Sequence, residues 1–133
     1  MQLDEALSQP ASRAQLVAST ISRLRAGEPP DLLVSAGTEA LVLTSLVAAE
    51  LGLPMVYVRP EAKGHGRQKR LEGEPRGSRA AVISGDEAAA DDCRQEIESS
   101  GVRVVQVLTP ATPAEVSPQE VARILLDIGA VII

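Results

Sequence analysis

The sequence predicts an α/β fold, a mainly parallel sheet flanked by helices, and three features carry that expectation. Short apolar runs of strand length alternate along the chain with stretches of helical pattern. Glycine or proline punctuates most of the junctions. The segment from Asp31 to Arg59 then reads as strand, glycine turn, apolar helix and strand, a βαβ unit whose strands run parallel through a right-handed crossover. At 133 residues the chain fits one domain, residues 1–133, built on one shared core.

Residues 2–8 suit a short helix that Pro10 ends. A second helix is expected from Ser12, whose spacing to Gln15 is that of a capping box, with Leu16, Val17, Thr20, Ile21 and Leu24 on one face. Gly27 and the Pro29-Pro30 pair stop it. Asp31 to Ala36 is the first strand. After Gly37, a helix from Thr38 to about Leu51 is Leu, Val and Ala on nearly all sides, so it should be buried against the sheet. Gly52 closes that helix and Met55 to Arg59 forms the second strand. A third strand is expected at Ala80 to Ser84, a helix from about Asp86 to Ser100, and a fourth strand at Val102 to Leu108. Ser117 and Glu120 make another capping box with Pro118 at the first helical position, and residues 130–133 would add a last short strand.

Apolar residues make up 44% of the chain, yet Tyr57 is the one aromatic, so the core must be aliphatic. Single-stranded nucleic acid is held on aromatic stacking platforms, and a net charge of −5 opposes a broad phosphate-binding face, so nucleic acid is not the expected partner. The single cysteine, Cys93, leaves no internal disulfide and no cysteine-rich metal site, which fits a reducing cytoplasm. It lies in mid-helix on the face of Ala89 and Ile97, the position of a packed core residue. No run reaches the ~18 apolar residues of a membrane span, and the first residues, MQLDEALSQ, are acidic where a signal peptide is basic. The expectation is a soluble, cytoplasmic domain.

Charge is unevenly placed. Between Arg59 and Arg79 lie seven of the 13 Lys and Arg residues against three acids, while the rest of the chain is strongly acidic. That basic stretch suits a small anionic ligand, because open parallel sheets bind ligands beyond the carboxyl ends of their strands. Three segments reach that edge. Ser35-Ala36-Gly37-Thr38 could offer backbone N–H groups to a phosphate, although a tight turn at Gly37 and a helix cap at Thr38 explain the same residues. The basic loop holds Lys63 and His65, flanked by Gly64 and Gly66, as groups able to close over a ligand, against the plainer reading of a solvated loop. Asp86 and Glu87 could hold sugar hydroxyls or Mg²⁺, or could simply favour the helix dipole. The chain has no HExxH, Walker loop or GxGxxG.

The segment LGLPMVYVRPEAKGHGRQKRLEG, Leu51 to Gly73, resembles the strand and catalytic loop of orotate phosphoribosyltransferases, whose pattern is close to LGLPMVYVRKEAKGHGxxKxIEG. DLLVSAGTEALVLTSLVAAE upstream is similar to the family's pyrophosphate-loop strand and helix, and the likeness continues more loosely to Leu108. This resemblance implies the type I phosphoribosyltransferase fold, a homodimer and use of phosphoribosyl pyrophosphate with Mg²⁺. It also implies that Lys63 and His65 contact pyrophosphate, often across the dimer, with help from Arg59 and from the Ala36-Gly37-Thr38 turn.

The departures point elsewhere. Pro60 stands where the family has a lysine that contacts pyrophosphate. Where the family carries an acidic pair and a Thr-Thr-Gly-Gly-Ser phosphate cradle, this chain reads AVISGDEAAADDC, about three residues shorter and without the hydroxyls and glycines. Asp86, Glu87, Asp91 and Asp92 stand there instead, and four carboxylates would repel a phosphate. The family's orotate-binding segment is also expected to be missing ahead of the first strand. The resulting expectation is a homologue without transferase activity that binds an anion or nucleotide, phosphoribosyl pyrophosphate or pyrophosphate among them, or regulates a partner. The alternatives are an active enzyme for orotate or another base in nucleotide biosynthesis or salvage, with Asp86 and Glu87 serving the ribose or Mg²⁺, and a structural subunit.

Overall fold

The computed structural model describes residues 3–59, 70–109 and 118–127. In chain order its elements are α1 (Leu3–Ser8), α2 (Pro10–Ala26), β1 (Leu32–Ala36), α3 (Leu41–Leu51), β2 (Met55–Val58), β3 (Leu71–Glu72), β4 (Arg79–Ser84), α4 (Glu87–Ser99), β5 (Arg103–Leu108) and α5 (Pro118–Asp127). The strands form one sheet in the order β3-β2-β1-β4-β5. β1 pairs in parallel with both β2 and β4, and β4 pairs in parallel with β5. Among the described strands only β3 runs antiparallel, with Tyr57 opposite Glu72 and Val58 opposite Leu71.

Helices cover both faces of the sheet, which explains why all five residues of β1 are buried and why it reads as an unbroken apolar run. On one face Leu33, Ala81, Ile83 and Leu108 pack with Leu16, Val17 and Ile21 of α2, Leu43 and Val47 of α3, and Ile124 of α5. On the other, Leu32, Val34, Val56, Val58, Ala80 and Val82 meet Cys93 and Ile97 of α4. Each Val, Leu or Ile among them contributes about 1.5–3 kcal/mol when fully removed from water, so this double layer stabilises the fold without aromatic residues.

Several expectations need correction. α2 begins at Pro10, not Ser12, because proline with its preset φ suits the first helical position as well as it ends a preceding helix. Ser12 is therefore no cap: its hydroxyl donates to Ala6 O at 2.5 Å and ties α2 to α1. α3 begins at Leu41, not Thr38, since residues 37–40 form a turn. It buries Leu43, Thr44, Val47 and Ala48 rather than every side, and Val42 is 54% exposed, because the sheet covers only the side that faces it. β3 was not expected, since two residues carry no readable period. The Ser117 half of the last capping box and the strand at 130–133 lie outside the described residues.

One irregularity has a visible purpose. Between Ala80 and Ala81 the β4–β5 register slips, with Ala80 opposite Val104 and Ala81 opposite Gln106. Gln106 Nε2 then donates to Leu24 O at 2.9 Å and to Glu28 O at 2.8 Å, satisfying carbonyls at the end of α2. Gly27 leaves room for that amide: a Cβ there would lie 2.8 Å from the Gln106 side chain.

Candidate functional site

Strand order locates the candidate site. From β1 the chain crosses through α3 to β2 on one side, then returns past β1 to β4 on the other. The carboxyl ends of β1 and β4 are therefore neighbours at which the connections diverge, the place where open α/β sheets form a crevice. In register there, Ala36 lies beside Ser84.

The turn after β1 is tight. Gly37 has φ 74°, a left-handed conformation that glycine adopts without a Cβ clash, and its N–H donates to Val58 O of β2 at 3.0 Å. Ser35 Oγ donates to Gly37 O at 3.1 Å and braces the turn from below. Leu41 N–H donates to Thr38 O at 3.2 Å, and no side chain caps α3, so Thr38 is exposed and does not act as a cap.

The turn after β4 is satisfied differently. Asp86 is the N-cap of α4, and its Oδ1 accepts from Ala89 N–H at 2.7 Å. Ser84 Oγ donates to Asp86 O at 2.7 Å. Glu87 is the first helical residue and is exposed, where its charge favours the helix dipole. One residue earlier, Gly85 has the Glu39 carboxylate lying over it: a Cβ on Gly85 would sit 2.5 Å from both Glu39 Cδ and Oε2. Glu39 thus links the two turns. The sequence signal for it was an acid directly after Gly37-Thr38, whose significance depends on contact with a residue 46 positions later.

At the outer edge, Arg59 and Arg70 are the described residues that flank residues 60–69. Their backbones pair, with Arg59 N–H donating to Arg70 O at 2.7 Å. Arg59 Nε donates to Glu72 Oε1 at 2.7 Å, and Arg70 Nε donates to Arg59 O at 3.0 Å. Arg70 also hydrogen-bonds Asp92 and lies 3.8 Å from Glu96, both on α4, and the Asp92 hydrogen bond raises its already high pKa. Asp92 is thereby matched by a cation rather than left among like charges at the helix start. Lys63 and His65, with Pro60 and Lys69, lie outside the described residues.

Cys93 sits beneath this edge, 1% exposed, and burial pushes its thiol up to about 12, with the Asp92 charge adding to the shift. It is a packing residue and not a nucleophile at neutral pH. Among the described residues no three His, Cys, Asp or Glu side chains are grouped so as to hold a metal ion. An open groove of about 390 Å³ lies at the other end of α4, lined by Arg94, Glu98, Gly101, Val102, Arg103 and Val104. Its cations are engaged, Arg94 with Glu98 at 2.7 Å and Arg103 with Glu28 at 3.1 Å. Among the described residues no helix is long and apolar enough to cross a membrane.

Comparison with known proteins gives this geometry a context. No family model matches the chain. An orotate phosphoribosyltransferase of Rhizobium etli is 42% identical over 81 residues, which is 58% of this chain and 35% of that protein. The chain thus spans about a third of the length of the curated relatives it matches. Among solved structures, orotate phosphoribosyltransferase from Aeropyrum pernix superposes with a TM-score of 0.71 at 22% identity, covering 97% of this chain and 82% of the other. Adenine phosphoribosyltransferase from Leishmania tarentolae gives 0.60 at 15% identity, covering 80% and 60%. The fold is that of the type I phosphoribosyltransferases, and part of the sequence is homologous to the orotate enzymes.

Proposed function

We propose that this chain is an orotate phosphoribosyltransferase homologue that retains the fold, the basic loop and a homodimer but carries no transferase activity. It acts as an anion- or nucleotide-binding protein, or as a regulatory one, in the cytoplasm. The observation that carries this reading is the turn after β4. A helix N-terminus in this position is suited to receive a ligand phosphate, yet Asp86 already accepts from its Ala89 N–H at 2.7 Å. Glu39 lies over Gly85, so a second carboxylate stands beside that turn. A phosphomonoester placed there would meet like charges rather than donors.

The test is turnover of orotate and phosphoribosyl pyrophosphate to orotidine monophosphate by the full chain. No product is expected above the level of a Lys63→Ala variant. Product formation that Lys63→Ala abolishes would overturn the proposal.

The retained Lys-Gly-His-Gly motif at residues 63–66 favours a second reading, an active phosphoribosyltransferase for orotate or another base. In it, Lys63 and His65 would meet pyrophosphate with Arg59 and the Ala36-Gly37-Thr38 turn. Asp86 and Glu87 would take the ribose or a Mg²⁺ shared with the ligand's phosphates, since Mg²⁺ binds through one or two carboxylates plus substrate oxygens. Calorimetric titration with phosphoribosyl pyrophosphate and Mg²⁺ separates the readings. Absence of heat at millimolar ligand removes the second.

A further inference from the structure

Two βα turns meet at the crevice between β1 and β4, and their helix N-termini both face it, because parallel neighbouring strands place both helix starts at the same sheet edge. α3 has no side-chain cap, and α4 is capped by Asp86. Such an end of a fold attracts an anion from solution. Here an anion is already present as part of the chain: the Glu39 carboxylate lies against Gly85, whose lack of a side chain is what admits it. Glu39 reaches across from one turn to the other, so an incoming phosphate would have to displace its carboxylate or share the space with it.

We infer that Glu39 is a specificity-determining residue: its carboxylate fills the β1–β4 crevice in place of a ligand phosphate and lowers the protein's affinity for diphosphate groups. The inference deepens the proposed function and takes its ligand class, a diphosphate, from that reading. The effect is chiefly electrostatic, since the exposed side chain can move aside while its charge stays beside the crevice. Two like charges a few ångströms apart near a protein surface repel measurably, and the repulsion is weakened by salt.

Calorimetric titration of the full chain with inorganic pyrophosphate tests it, using the unmodified protein, Glu39→Gln, Glu39→Ala and the control Glu50→Gln. Glu50 lies in the last turn of α3, about 14 Å along the helix axis from its start, so the control removes one negative charge without touching the crevice. Glu39→Gln should bind pyrophosphate about fivefold more tightly than the unmodified protein or better, the gain shrinking as salt is raised. Glu39→Ala, which also empties the space over Gly85, should gain at least as much, and Glu50→Gln should not change.

Unaltered affinity in a folded Glu39→Gln protein, including no heat in either protein, would overturn the inference. So would an equal gain in Glu50→Gln, which would make the effect one of net charge. Parallel assay of the unmodified protein for orotidine monophosphate keeps the two ideas apart. Turnover there refutes the proposed function, whereas an unchanged pyrophosphate affinity without turnover refutes only the role of Glu39.

Discussion

The turn after β1 and the turn after β4 occupy equivalent places on neighbouring parallel strands, yet they meet the same physical demand in opposite ways. After β1 the chain uses a left-handed glycine, Gly37, and leaves the start of α3 without a side-chain cap. After β4 it keeps ordinary backbone angles and fills the helix start with Asp86. The first arrangement uses backbone acceptors alone, Val58 O for the Gly37 N–H and Thr38 O for the Leu41 N–H. The second engages a helix-start donor with a side chain, Asp86 Oδ1 accepting from the Ala89 N–H. A fold shared with phosphoribosyltransferases therefore does not by itself carry their chemistry, because the ligand-facing groups lie in turns that can change while the sheet stays the same.

Paired substitutions break or sharpen this contrast. Gly37→Ala forces an L-residue into φ 74° and should cost about 1–2 kcal/mol, seen as a lower urea midpoint with an unchanged slope. Nothing lies within 4 Å of the new methyl, so a loss of that size would be backbone strain alone. Asp86→Ala should cost about 1 kcal/mol by removing the cap, while Thr38→Ala, across the crevice, should stay within about 0.5 kcal/mol. Equal losses at Asp86 and Thr38 would erase the distinction between the two turns. Gly85→Ala should have the smallest effect, within about 0.5 kcal/mol, because the group it meets is the end of a flexible, exposed side chain that can swing away.

Chemical and pH probes bear on the layers beneath the turns. Cys93 should resist a thiol reagent at neutral pH in the native protein and react at once in denaturant, since its thiol is buried and held protonated. Rapid native labelling would mean that α4 does not lie on the sheet as described. At the opposite sheet edge, Asp31 accepts from Arg79 N–H and Ser78 N–H, each at 2.9 Å, and the Arg79 backbone hydrogen bond leads in lowering its pKa. A depressed carboxylate contributes stability above its unfolded value and loses it as pH falls through the folded value. Asp31→Asn should therefore flatten the acid limb of the stability profile and leave its shape above neutral pH as it is in the unmodified protein.

How far the sequence could be read depended on the range of the interaction concerned. The βαβ unit, the buried face of α2 and the placement of Cys93 in the core were legible because helix and strand periods are local. Ser12 misled because its spacing to Gln15 satisfies a capping pattern inside a helix that Pro10 had already begun. Asp86, Glu87, Asp91 and Asp92 read as one repulsive cluster, whereas the fold separates two of them: Asp86 caps the helix and Asp92 pairs with Arg70.

By itself, then, the sequence determined the alternation of elements, the aliphatic core, the concentration of cations between Arg59 and Arg79, and the likeness to one enzyme family, all of which are carried by neighbouring residues. Only the tertiary structure decided the strand order, the two-residue β3, the Arg59–Glu72 and Arg70–Asp92 pairs, and the meeting of Glu39 with Gly85. The physical reason is that a residue's chemistry follows from what folding brings against it. Glu39 is one more surface acid along the chain, and becomes a candidate determinant of binding only where β1 and β4 end side by side.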